Sequence, residues 1–291
     1  MAAKREIAVG LNLRKINSRD FDYQKFDRLI EEAYLKRNRG VSHKRKRSFA
    51  PSSIGYGSGT CARRWYLAFS GSEYDETADA LGVANMAHGV SVHDRLQKLF
   101  EEAGVVIENE REVKMIDPPI RAFIDSIVEV DGIQAVVEIK STRDESFVHR
   151  KFSGNPMPYH LYQLLIYMYH EDIPQGCLLY ENKNDNTFLT IPIRLNDRTR
   201  AIVEDCLEWL REVRANWEQD ATWREPEEPE DPDTPEHMKD DGFVSASYEH
   251  LPTRPFTKRS KECKSCPVFN ECWNNQGDGS VVIDPMEVVK L

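Results

Sequence analysis

The stretch IRAFIDSIVEVDGIQAVVEIKST, residues 120–142, reads as two β-strands joined by a tight turn. Asp131-Gly132 supplies that turn, because the favoured two-residue hairpin needs positive φ at both central positions and this pair tolerates it. Side chains alternate faces along a strand, so Glu138 and Lys140 project together while Val137 and Ile139 point to the opposite side. On the preceding strand Asp125 shares a face with Phe123 and Ile127, and a carboxylate among apolar neighbours needs a partner to offset its desolvation. Folding at the Asp-Gly turn brings Asp125 near Glu138. Two carboxylates beside an amine make a hard-oxygen site suited to Mg²⁺ or Mn²⁺. Such a metal polarises a scissile phosphate and acidifies a bound water, while Lys140 positions that water or neutralises developing charge.

The flanking sequence builds a mixed α/β domain around this hairpin. Residues 105–116 read as a further strand, and residues 85–104 as a helix with Met86, Gly89, His93, Leu96 and Phe100 on one face, stopping at Gly104. A helix over 158–171, strands over 176–183 and 187–195, and a long helix from Asp197 to about Gln219 follow. Upstream, FDYQKFDRLIEEAYLKR (21–37) carries Phe26, Leu29, Ile30 and Ala33 in helical spacing.

The 291 residues, 40% hydrophobic, suffice for a packed core, and no apolar run approaches the ~20 residues of a membrane span. With an N-terminus that lacks a signal-peptide core, the expected location is the cytoplasm of a bacterial, archaeal or virus-infected cell. The net charge of −10 is segregated: basic residues gather in LKRNRGVSHKRKR (35–47), acids in REPEEPEDPDTPEHMKDD (224–241). A locally basic surface including Lys44 and Arg45 is therefore compatible with DNA, whereas the acidic, proline-rich segment is expected to be flexible.

Six cysteines without a secretory signal point to thiolate or metal chemistry. KECKSCPVFNECW (261–273) sets Cys263, Cys266 and Cys272 close together, a metal site one ligand short. Cys177, in a strand, and Cys206, on an apolar helix face, read as core.

Gly89-x-x-x-His93, then Asp125, then Glu138-Ile139-Lys140, then Gln163-x-x-x-Tyr167 resembles the RecB-like branch of the PD-(D/E)XK nuclease superfamily. The resemblance implies a restriction-endonuclease-like core, a mixed central sheet flanked by helices. It implies metal ligation by His93, Asp125, Glu138 and the Ile139 carbonyl, catalysis by Lys140, and Gln163 and Tyr167 lining the site. In the iron–sulfur members, typified by CRISPR-associated RecB-like exonucleases and AddB-type nucleases, one cysteine precedes the core and three follow. Cys61 is then the fourth ligand, and four thiolates suit a [4Fe–4S] cluster, with Zn²⁺ as the alternative. The cluster would staple N- and C-terminal segments, removing on the order of 5 kcal/mol of unfolded-chain entropy if the disulfide relation is borrowed. Arg63 and Arg64, directly after Cys61, are then candidates for a phosphate contact. Ala122 departs from the pattern where a glycine often stands.

The expected organisation is a basic appendage (1–50), a nuclease core (51–223), an acidic flexible segment (224–250) and a cluster-binding segment (251–291). The expected function is a Mg²⁺- or Mn²⁺-dependent deoxyribonuclease, an exonuclease on single-stranded ends in recombination, repair, replication or phage DNA metabolism. Trp65, Tyr66 and Tyr159 are candidates to stack bases, and the appendage or acidic segment to meet a protein partner. The alternative is a non-catalytic DNA-binding or assembly subunit that keeps the fold and cluster.

Overall fold

The protein is described as a computed structural model covering residues 22–39, 45–75, 79–225 and 240–275. Lys44 and most of the acidic segment, residues 226–239, lie outside the described residues. The chain divides into two compact units, Met1–Ser42 with Ala78–Met86, and His43–Thr77 with Ala87–Leu291. In the first, α1 (Tyr23–Arg39) forms where helical spacing expects it, but Phe26, Leu29 and Ile30 are exposed. That stripe is a surface and not a core face.

The second unit is organised by a five-stranded sheet whose spatial order is its chain order: β1 (Val106–Met115), β2 (Ile120–Val130), β3 (Ile133–Thr142), β4 (Gln175–Asn182) and β5 (Phe188–Arg194). The hairpin closes as its sequence requires: Val130 pairs with Ile133, and Asp131 and Gly132 both take positive φ, 52° and 74°. Only β3 and β4 run parallel. A parallel pair needs a long crossover, and here it consists of α4 (Asp144–Ser153) and α5 (Pro158–Glu171).

Strand alternation sends successive residues of β3 and β4 into two cores. Val137, Ile139, Cys177 and Leu179 meet Val92, Leu96 and Phe100 of α3 (Ala80–Glu102) on one face. Helix α3 begins earlier than the sequence suggests, and its inward face omits Met86, which is 54% exposed. On the other face Val136, Leu178 and Tyr180 join α5, α2 (Ala62–Phe69) and α6 (Asp197–Glu218). Helix α6 starts on a reciprocal capping box between Asn196 and Thr199 and buries Val203, Cys206, Leu207, Leu210, Val213 and Trp217, a continuous stripe. Trp65 and Tyr66 are fully buried here, so they are core and offer no face to a base.

A short hairpin, β6 (Ala221–Trp223) with β7 (Phe243–Ala246), follows α6. Phe243–Ala246 is thus a strand within the stretch expected to be flexible. Arg45 packs its guanidinium 4.3 Å from the Phe243 ring centroid and pairs with Asp241. Beside it, Asp220 is a buried hub: it accepts hydrogen bonds from Tyr66 Oη, Ser247 Oγ (3.0 Å) and the His250 backbone N–H (2.7 Å). Burial opposes its carboxylate form, but these hydrogen bonds outweigh it and depress its pKa. Asp220, Glu249 and His250 also bring donor atoms within 4.8 Å of one another, yet the Asp220 oxygens are already engaged. Among the described residues no helix is long and apolar enough to cross a membrane. Among the described residues the last α-helix, α7 (Lys261–Lys264), is one turn capped by Ser260, and a π-helical turn, Glu271–Asn275, follows it.

Candidate active site

The sheet opens where the two carboxylates meet. Pairing of β2 with β3 ends at Ser126↔Val137, whereas β2 stays with β1 as far as Ile120↔Met115. One further step of that register sets Asp125 opposite Glu138. There a side chain replaces the ladder: Asp125 Oδ2 accepts from the Ile139 backbone N–H at 2.6 Å. Its other oxygen, Oδ1, lies 3.2 Å from Nδ1 of His93, delivered by α3. Burial disfavours the His93 imidazolium, but the hydrogen bond and charge of Asp125 outweigh it and raise the pKa.

Glu138 is fully buried. Its Oε1 accepts from Lys140 Nζ, while Oε2 has no hydrogen-bond partner. Burial pushes this carboxyl up to about 7, against the pull of the Lys140 charge. Burial likewise opposes the Lys140 ammonium, yet Glu138 and Asp125 together raise its pKa. A buried carboxylate oxygen without a donor is costly unless something cationic meets it. His93, Asp125 and Glu138, with the neighbouring carbonyl of Ile139, have the donor chemistry of a hard divalent cation site, although the three side chains as described do not gather three donor atoms within 4.8 Å of one another.

From α5, Gln163 and Tyr167 share one helical face, and Gln163 Nε2 donates to Tyr167 Oη at 3.1 Å. Both are buried. Burial first, and then the Glu138 charge, raise the Tyr167 pKa. Thus the structure brings His93, Asp125, Glu138, Ile139, Lys140, Gln163 and Tyr167 to one notch. Sequence reasoning missed Gln97, whose Nε2 donates to the Asp125 backbone oxygen and to Glu110 Oε1, both at 2.7 Å. Its position, four after His93, was the available signal. Glu110 had none: it sits opposite Asp125 on β1 at φ 53°, beyond a register shift that periodicity does not reveal.

The cysteines form a second site. Cys61, just before α2, lines one small cavity with Cys263, Cys266 and Cys272. Burial pushes Cys61 up to about 12 and Cys266 to about 11. Arginines surround them. Arg63 Nε donates to Cys272 Sγ at 3.3 Å, and its NH1 to Pro252 O at 2.8 Å. Arg64 lies 4.1 Å from the Trp65 ring centroid, with Nε and NH1 buried and without partners. The two side chains are only 4% and 8% exposed. This corrects the expectation that they contact a phosphate: they follow the thiols inward. Arg45, held by Asp241 and Phe243, is likewise occupied by the fold.

No family model and no curated protein matches the sequence. Solved structures similar to it include SSO0001, at 21% identity over 66% of this chain and 90% of that one, TM-score 0.38. An alkaline exonuclease from Laribacter hongkongensis, LHK-Exo, matches at 14% identity over 65% and 95%, TM-score 0.45. Its complex with dAMP matches at 15% over 66% and 95%, TM-score 0.43. Likenesses of this size leave function to be argued from the site.

Proposed function

We propose that the protein is a metal-dependent deoxyribonuclease of the RecB-like PD-(D/E)XK type, acting on single-stranded DNA ends. The observation that carries this reading is the buried Glu138 carboxylate, with one oxygen on Lys140 and the other unpartnered beside Asp125. A divalent metal bound there supplies Lewis acidity toward a phosphate oxygen and an activated water. Asp125 fixes the notch by satisfying the backbone N–H that β2 gives up, and it orients His93 Nδ1. Lys140, kept protonated by its two acidic neighbours, holds a positive charge where negative charge grows on the phosphate. Gln163 and Tyr167 close the apolar side and keep bulk water from Glu138.

The four cysteines are assigned to a [4Fe–4S] cluster. Four cysteines around one cavity supply the thiolate set that such a cluster takes, and the arginines lining it suit a negatively charged occupant; Zn²⁺ is the alternative.

The test is incubation of end-labelled single- and double-stranded DNA with Mg²⁺ or Mn²⁺, with EDTA controls and 5′- or 3′-blocked ends. Metal-dependent cleavage that Glu138→Ala abolishes supports the reading. Binding without cleavage at any metal concentration rejects catalysis and leaves an assembly or binding subunit.

A further inference from the structure

A row of four rings runs from the surface to the Lys140 side of the notch. Tyr56, 55% exposed, sets its ring centroid 4.5 Å from that of Tyr159. Tyr159 meets the His160 ring edge-on at 4.3 Å, and His160 lies 5.6 Å from the Tyr180 ring, with Nδ1 2.9 Å from Tyr180 Oη. Tyr180 is the neighbour of Lys140 in the parallel register. His160 stays neutral, since burial and the nearby Lys140 and Arg150 charges push its pKa down to about 3. The row is therefore an uncharged aromatic path that ends beside a cation.

Its outer member is held by the backbone. Gly55 takes φ +76° and lies so close to α5 that a Cβ there would be 2.8 Å from Tyr162 Cδ2. Gly57, at φ +48°, faces Ser265, the residue before Cys266, with 3.7 Å between its would-be Cβ and Ser265 Oγ. Tyr56 thus rides on a turn braced by α5 on one side and the cysteine segment on the other. A ring that served only the core would not be braced in this way and left mostly in solvent.

We propose that Tyr56 and Tyr159 form a stacking platform for unpaired nucleobases next to the bond being cut. This rests on the nuclease reading and names its substrate contact. Stacking needs a free base face, which a duplex does not offer, and it accepts any base because every base has a π-face. The platform therefore confers preference for single strands with little sequence preference.

The experiment measures binding in EDTA, which blocks cleavage, to three labelled probes: a mixed-sequence single strand, the same strand with abasic sites near its end, and a blunt duplex. Tyr56→Ala is expected to weaken binding of the mixed strand by on the order of 10- to 100-fold, to leave the abasic strand unaffected, and to be rescued by Tyr56→Phe. Tyr159→Ala is the second arm, with circular dichroism as the check on folding. Equal binding of mixed and abasic strands by the parent protein, or an unchanged mixed-strand affinity in Tyr56→Ala, overturns the platform while Glu138-dependent cleavage still supports the nuclease. A parent protein that neither binds nor cuts any probe overturns both.

Discussion

The carboxylate notch and the cysteine cavity both concentrate ionisable groups in apolar surroundings, but they are completed differently. In the notch the counter-charge is built in: Lys140 pairs with Glu138, and Asp125 is satisfied by Ile139 N–H and His93. Only one oxygen is left over. In the cavity, burial drives the thiols toward their neutral form while Arg64 holds two nitrogens without partners. A metal cluster of the kind proposed would have to displace those protons, and it would offer Arg64 the complement that its two nitrogens lack. The notch is thus preorganised by the fold, whereas the cavity, on the proposed assignment, would be finished by its occupant.

The contrast breaks most sharply at Glu138. Replacing it with Ala should lower metal-dependent cleavage by about 10³-fold or more, with a smaller downward shift in thermal unfolding because Lys140 loses its ion-pair partner but keeps Asp125 nearby; single-turnover cleavage and calorimetry read the two effects. Cys61→Ser should do the reverse. Bound iron and its broad visible absorbance disappear, stability falls by up to about 5 kcal/mol in urea titration, and cleavage declines only as the folded fraction does. A Cys61→Ser protein that holds no metal and is as stable as its parent would show that the cavity is not a staple.

Asp220→Asn sharpens the comparison by testing an anionic hub that needs no metal. Its loss should cost about 1–3 kcal/mol at neutral pH. Because the folded pKa is depressed below the unfolded value near 3.9, the native state binds fewer protons there. The stabilisation is fully present above that pH and is lost as pH falls through and below it. Acid titration of parent and Asp220→Asn should accordingly begin to converge below about pH 4 and meet only once the pH is below the depressed folded pKa. The smallest effect is expected from Arg45→Ala: about 1 kcal/mol from the lost ion pair and ring contact, with no change in the salt dependence of DNA binding. A shallower salt slope would restore Arg45 to the phosphate-binding surface.

What could be read in advance follows from periodicity. The hairpin, its Asp-Gly turn and the shared face of Glu138 and Lys140 were legible because a strand alternates and a tight turn has few sequences. Helix α5 was legible to the residue, because Pro158 opens it and a buried stripe fills it. Helix α4 was not: DESFVHRKFS has only two buried residues, Phe147 and Arg150, and one of them is charged. The inward turn of Arg63 and Arg64 was also hidden. Adjacent arginines look like surface until thiols from the far end of the chain are placed against them. The same holds for Arg45, whose ring partners Trp217, Trp223 and Phe243 lie far along the chain on either side of the acidic segment.

The distance in sequence between Arg63 and Cys272, 209 residues, also sets a clock. At about 5–20 residues per second of synthesis, Cys61 emerges roughly 10–40 s before its last partner exists. The sheet has no such delay, since each strand pairs with its chain neighbour and the fifth is complete at Arg194. From Arg194 until Cys263 is made, all five strands exist while Cys61 still awaits the other three cysteines of its cavity. A cluster of the kind proposed would therefore be completed only after the chain has been made through Cys272.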